Sequence, residues 1–251
     1  MRRLQKNIVI VTGGASGIGQ AIVRKFAHHG ATVILADIQT EPAVCTVNEV
    51  TQSGGRAQFI ETDLRDLEQI DALVRHMVKQ FGRVDIMVPN AGLQYENAVA
   101  DTTEAEYDHI MNVNLKGMFF CCKSAVAVML GNGGGDIVAI GSALSLVAEP
   151  HAAACCTSKA GALNLVRSIA TDYGRNNIRA NCVYPGYIDT PLNDRYFQQQ
   201  ADPVAVRQAA VESNPLGRIG HVDEVAKYVS FLARKEASFV TGASLIIDGA
   251  A

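Results

Sequence analysis

The chain has 251 residues and a mass of 26.8 kDa, with 22 basic against 25 acidic residues and a formal net charge of −3. With 48% hydrophobic and 19% charged residues, it has the apolar content to bury a core and too little net charge for an intrinsically disordered chain. The near-balance of charge, without a basic cluster, argues against nucleic acid as a partner.

At the start of the chain, Arg2-Arg3 precedes the apolar run Ile8-Val9-Ile10-Val11, which stops at Thr12-Gly13-Gly14. That run is too short for the core of a secretory signal. No stretch is read as approaching a membrane span, so a cytoplasmic protein with no membrane partner is expected.

In chain order, β-type runs are expected over 8–11, 32–36, 57–61, 84–88, 137–140, 178–183 and 244–247, with helices near 18–29, 41–53, 66–81, 104–130, 154–174 and 222–234. The β-runs are apolar along most of their length instead of alternating, as strands of a parallel sheet covered on both faces must be. In the third helical segment Leu67, Ile70, Leu73, Val74 and Met77 recur at helical spacing. This alternation predicts an α/β fold, a doubly wound parallel sheet of about seven strands with helices on both faces. No linker, repeat or low-complexity tract divides it, so residues 1–251 read as one Rossmann-type domain. From about Thr190 to Pro215 the chain is polar and Gln-rich, and about 187–215 reads as an insertion after the sixth strand, at the carboxyl edge of the sheet where a substrate lid would sit.

Six cysteines, Cys45, Cys121, Cys122, Cys155, Cys156 and Cys182, lack C-x-x-C spacing and a paired histidine motif, so no metal site is expected. Most read as small core residues. A redox role for Cys155-Cys156 is a weaker alternative.

Directly after the first β-run stands Thr12-Gly13-Gly14-Ala15-Ser16-Gly17-Ile18-Gly19, followed by an apolar helix. Glycines let a backbone turn tightly against a diphosphate, and a helix N-terminus offers unpaired N–H groups and a positive dipole end. Asp37 ends the second β-run. A carboxylate there accepts hydrogen bonds from both ribose hydroxyls and repels a 2′-phosphate. Because Ile38, Gln39 and Thr40 follow it and not Arg or Lys, the cofactor expected is NAD rather than NADP.

Together these motifs resemble the short-chain dehydrogenase/reductase family, in its branch of about 250 residues, along nearly the whole chain. Thr12 to Gly19 resembles its glycine motif, and Asp63-Leu64 the pair at the adenine ring. Asn90-Ala91-Gly92 resembles the segment after the fourth strand, although Pro89 departs from the usual asparagine. Asn114 matches the residue that holds a proton-relay water, and Ser142 the catalytic serine that orients the substrate oxygen. Pro185-Gly186, Ile188 and Thr190 match the segment over the nicotinamide. Lys159 matches the lysine that binds the nicotinamide ribose and lowers the pKa of a catalytic tyrosine four residues earlier. The resemblance implies hydride transfer between a nicotinamide and a small-molecule alcohol or ketone, in a homotetramer built on helices 104–130 and 154–174. Small residues there, Ala125, Ala127, Ala160, Ala162 and Ala170, would serve such contacts or an intrachain core alike.

At one position the chain departs from the family. Four residues before Lys159 stands Cys155 where the resemblance implies tyrosine, and no tyrosine lies between Ser142 and Lys159. A cysteine sulfur reaches roughly 4 Å less far than a tyrosine oxygen. A thiol titrates at about 8.5 against about 10 for a phenol, and a neighbouring ammonium should lower it further. Acidity is thus expected to be adequate and reach to be short. Losing a placed general acid costs about 10²–10⁴ in rate. His151, Glu149 and Tyr187 are nearby candidates to replace it. Three readings stay open: an NAD-dependent dehydrogenase of a secondary alcohol, impaired at Cys155; a catalytically silent NAD(H)-binding protein; and an enzyme of lyase or epimerase type. The loops 93–99, 143–154 and 187–215 supply Leu93, Tyr95, Leu144, Leu146, Val147, Tyr187, Leu192, Tyr196 and Phe197, a mostly apolar wall suited to a ring-bearing substrate. The run from Tyr187 to Asn193 looks like that of family members acting on cyclic secondary alcohols.

Overall fold

The computed structural model describes residues 4–250, so Arg2-Arg3 lies outside it. Seven strands form one parallel sheet: β1 (Ile8–Thr12), β2 (Thr32–Asp37), β3 (Arg56–Glu61), β4 (Ile86–Val88), β5 (Gly135–Ile140), β6 (Ile178–Pro185) and β7 (Ser244–Ile247), in the order β3-β2-β1-β4-β5-β6-β7. The helices are α1 (Gly17–His28), α2 (Thr40–Gln52), α3 (Leu67–Phe81), α4 (Glu104–Met111), α5 (Met118–Gly131), α6 (Ala153–Tyr173), α7 (Pro191–Gln198), α8 (Pro203–Glu212) and α9 (Val222–Leu232).

The strand period of two explains the unbroken apolar runs. Ile8 and Ile10 of β1, Ile34 of β2 and Ile137 of β5 face a core shared with α3, α5 and α6. Their neighbours Val9, Val11, Val33 and Val138 face the opposite core, with α1 and α9. Both faces are covered, so alternate residues must all be apolar. The two edge strands, β3 and β7, are the exceptions: each is only partly buried. The order reverses between β1 and β4, and this switch point opens a crevice at the carboxyl ends of the strands.

The structure differs from the sequence reading at several boundaries. The fourth strand begins at Ile86 and not at residue 84, because Asp85 turns its carboxylate back to the Ile8 amide, 2.7 Å away. The helix expected over 104–130 is broken by a π-helical turn, Asn112–Gly117. The run Glu104–Gly131 is nevertheless 28 residues long with mean hydropathy 1.4 in its apolar window, so the expectation that no stretch approaches a membrane span is corrected. Its inner side, including Cys121, Cys122, Ala125 and Met129, is core beneath the sheet. Cys182 is likewise buried, whereas Cys45 is exposed and not a core residue.

One half-buried ion pair joins adjacent strands of the sheet. Asp136 of β5 lies in register with Arg179 of β6, and they pair at 2.7 Å. The guanidinium also donates to the carbonyls of Ala237 and Val240 at 2.7 and 3.2 Å. Burial pushes the Asp136 carboxyl up to about 6, against the pull of Arg179. The folded chain therefore holds this proton more tightly than the unfolded chain. Ionised Asp136 opposes folding at neutral pH, and that penalty fades as pH falls below the folded pKa. An Asp136→Asn variant is expected to match or exceed the parent in urea denaturation at pH 8, by about 1–2 kcal/mol, with the difference shrinking as pH falls below about 6 and closing near pH 4, about the unfolded carboxyl pKa. A variant much weaker at pH 8 would show that the ion pair outweighs its desolvation.

Candidate functional site

The crevice is a cleft of about 570 Å³ lined by residues from Gly13 and Asp37 at one end to Ser142, Cys155 and Lys159 at the other. At its floor the β1–α1 loop turns through Gly13 (φ 64°) and Gly17 (φ 53°), left-handed conformations that glycine adopts at no steric cost. Gly19 is held by proximity: a Cβ there would lie 2.0 Å from the Gly13 carbonyl oxygen and 2.5 Å from Nδ2 of Asn90. Ser16 starts α1 without a side-chain cap, and the first turn has no acidic residue, so the opening N–H groups face the cleft uncompensated.

Thr12 does not line the cleft; it is buried beneath the loop, where its Oγ1 accepts from the amides of Asn90 and Ala91 at 3.0 and 3.2 Å. Asn90 Nδ2 in turn donates to the carbonyls of Thr12 and Gly13 at 3.0 and 2.9 Å. The segment Asn90–Gly92 is thereby bolted to the glycine loop. Ser16, Ile18, Leu64, Ala91 and Gly92 all line the cleft.

Asp37, buried at the end of β2, is oriented by two amides: Ala15 donates to Oδ2 and Gln39 to Oδ1, each at 3.0 Å. Asp63 stands near, gripped by Arg65, whose amide donates to Oδ1 at 2.9 Å and whose Nε lies 3.0 Å from both carboxylate oxygens. The Arg65 guanidinium holds the Asp63 carboxyl below the usual carboxylate range.

At the other end, Cys155 and Lys159 sit one turn apart on α6 and both line the cleft. Lys159 Nζ reaches the Ile140 carbonyl at 3.4 Å, and its burial lowers the ammonium pKa. Ser142 lines the cleft and caps a short 3-10 turn, Ala143–Ser145, its Oγ accepting from the Leu144 amide at 3.2 Å. Cys155 corrects an expectation. Burial pushes the thiol pKa up, and this outweighs the lowering by Lys159; Cys156, Glu149 and Glu96 add to the rise. The thiol is short in acidity as well as in reach.

Asn114 does not line the cleft. It is fully buried in the π-helical turn, and its amide is committed: Oδ1 accepts from the Leu93 amide at 2.8 Å, and Nδ2 donates to the Leu93 carbonyl at 2.9 Å and to Ser158 Oγ at 3.2 Å. Ser158 Oγ donates to the Cys155 carbonyl at 2.8 Å. Asn114 thus ties the loop after β4 to the helix that carries Cys155 and Lys159.

Pro185, Gly186, Ile188 and Thr190 border the cleft on the side of residues 187–215. The expected insertion is two helices, α7 capped by Thr190 and α8 capped by Asp202. Leu93, Leu144 and Leu192 wall the cleft as expected, whereas Leu146 and Val147 are exposed. Of the candidates to replace a phenol, none lines the cleft. His151 is exposed, with a left-handed φ of 59°. Glu149 and Tyr187 share a hydrogen bond; burial and the neighbouring Glu96 raise the Glu149 pKa, and burial raises that of Tyr187. Arg65, His109, Val113 and Arg195 also line the cleft and went unnoticed in the sequence. Only the folded chain brings them there.

Residues 13–250 match a family described as enoyl-(acyl carrier protein) reductase. The chain is 36% identical to the 3-oxoacyl-[acyl-carrier-protein] reductase of Thermotoga maritima over 247 residues, covering 98% of each chain. It is 36% identical to the cis-4-hydroxycyclohexanecarboxylate dehydrogenase of Sinomonas cyclohexanicum over 245 residues, 97% of this chain and 96% of the relative. Among solved structures it superposes on levodione reductase with a TM-score of 0.95 at 29% identity, over 98% of each chain. With the seven-stranded parallel sheet and the cleft at its switch point, these matches show that the chain belongs to the short-chain dehydrogenase/reductase family of oxidoreductases.

Proposed function

We propose that the chain is an NAD(H)-dependent oxidoreductase that interconverts a secondary alcohol and a ketone, slowed because Cys155 stands where the reaction needs a phenol. The observation that carries this reading is the convergence on one cleft of the glycine loop and Asp37 with Ser142 and Lys159. The loop fits a dinucleotide: where Gly13 and Gly19 lie, a Cβ would collide with backbone, and the α1 amides are uncapped. Bound NAD(H) would supply or accept the hydride.

The chain's own groups do the rest. Asp37 is pre-aimed to accept from ribose hydroxyls, and its charge excludes a 2′-phosphate. Asp63 and Leu64 border the adenine end. Asn90, Ala91 and Gly92 flank the ribose above the loop, and Lys159 donates to the ribose at the nicotinamide end. Ser142 donates its hydroxyl proton to the substrate oxygen, where charge builds as the hydride moves. Asn114 acts by positioning α6. Pro185, Gly186, Ile188 and Thr190 cover the nicotinamide. The apolar Leu93, Leu144 and Leu192 suit a ring-bearing substrate, in keeping with the cyclohexane-derived alcohol in the name of one relative. Exposed Tyr107, Phe119 and Leu130 on α4 and α5 support a homotetramer joined through those helices, and a cytoplasmic location accords with such chemistry.

Fluorescence titration is expected to show NADH binding at least tenfold tighter than NADPH; equal affinities would remove Asp37 as the selector. Nicotinamide absorbance with cyclic secondary alcohols and ketones is expected to change slowly but measurably. The raised thiol pKa of Cys155 favours one second reading, a catalytically silent NAD(H)-binding protein, which tight NADH binding without turnover on any substrate would establish.

A further inference from the structure

A dinucleotide brings two negative charges on its diphosphate, and the loop that would cradle it supplies no formal positive charge: from Thr12 to Ile22 no side chain is charged. Four cationic or potentially cationic side chains line the cleft: Arg65, His109, Lys159 and Arg195. Arg65 is spent on Asp63. His109 packs its ring edge against Tyr95. Lys159 is buried at the far end against Ile140. Arg195 alone of the four is exposed with no carboxylate partner among the described residues.

Its position answers the loop directly. Arg195 Nε lies 3.2 Å from the Pro191 carbonyl, and the Pro191 ring lies 3.7 Å from where a Cβ of Gly17 would be. Thr190 approaches the same point at 3.4 Å. The first turn of α7 therefore rests on the glycine loop, and the guanidinium hangs beside it. The two carboxylates near Arg195 in the chain, Asp189 and Asp194, are both held by Arg207 of α8 at 3.0 Å. Arg207 also lies over the Phe197 ring, 5.6 Å from its centre, and braces α7 against α8. One arginine neutralises the acidic groups of the segment and leaves the other free to face the cleft.

We infer that Arg195 is the cationic clamp of the cofactor diphosphate, held next to the glycine loop by the first turn of α7. This rests on the reading of the cleft as a dinucleotide site. A planar guanidinium can donate two hydrogen bonds to phosphate oxygens in one geometry, and a charge at the rim is strongly sensitive to salt.

The test compares the full-length parent with Arg195→Gln and Arg195→Lys by fluorescence titration with NADH at low and high salt, and by calorimetry with adenosine, which has no phosphate. Arg195→Gln is expected to weaken NADH about tenfold and to flatten the salt dependence, with adenosine binding unchanged and Arg195→Lys recovering most of the loss. NADH affinity within twofold of the parent would overturn the inference while leaving the cleft reading intact. Equal weakening of adenosine would overturn it too, since Arg195 would then only be shaping α7. A parent that binds no NADH would defeat the cleft reading itself, and this inference with it.

Discussion

A Cys155→Tyr chain is expected to turn over its alcohol or ketone about 10²–10⁴ times faster than the parent, or roughly 3–5 kcal/mol of barrier. Three observations set the direction. Cys155 is only 4% exposed yet lines the cleft, so its side chain points where a larger one would enter the site. It lies one helical turn from Lys159, whose ammonium would pull a phenol toward ionisation. The thiol itself is held protonated by burial. A phenol extends roughly 4 Å further and brings its proton to the region of Ser142. Cys155→Phe is the control, since it fills the same space without a hydroxyl and should gain nothing. Assaying all three by nicotinamide absorbance decides the matter. Parent and tyrosine chains within tenfold of each other would mean that water, or another group reaching the cleft, already moves the proton.

The sheet was legible because burial on both faces writes itself into unbroken apolar runs, and β1, β2 and β7 fall where those runs predict. Boundaries were lost where a side chain intervenes: Asp85 reaching back to the Ile8 amide makes the fourth strand start late, and Asn114, tied to Leu93, accompanies a π-turn that no periodicity announces. The glycine loop and Asp37 were legible because their demands are local: a left-handed turn, a close approach, a strand end. Pairings distant in the chain were not. Arg65 comes after β3 and Arg195 from α7, and although their neighbours were read as cleft residues, nothing in the side chains themselves says that they face the same cleft. The Cys155 thiol failed for the same reason. Spacing gave it an ammonium one turn away, but burial, which dominates its acidity, is a property of the folded chain.

Gly19→Ala is expected to destabilise the fold by roughly 2–4 kcal/mol and to remove NADH binding at concentrations that saturate the parent. The added Cβ would meet the Gly13 carbonyl oxygen at 2.0 Å and Asn90 Nδ2 at 2.5 Å, and neither can retreat alone. Asn90 Nδ2 is bonded to the Gly13 and Thr12 carbonyls at 2.9 and 3.0 Å, while its own amide is fixed to Thr12 Oγ1 at 3.0 Å. Moving Gly13 breaks the first set and moves the wall of the cleft; moving Asn90 strands buried donors, at about 1–3 kcal/mol for each one left unpaired. Gly131, at the end of α5, has nothing within 4 Å of its would-be Cβ, so Gly131→Ala should leave both properties unchanged or slightly improved. Urea denaturation and NADH titration on the two variants separate steric collision from a general penalty of replacing glycine. If Gly19→Ala folded less stably yet bound NADH as the parent does, the glycine loop would be a structural turn, and the dinucleotide would have to lie elsewhere in the cleft.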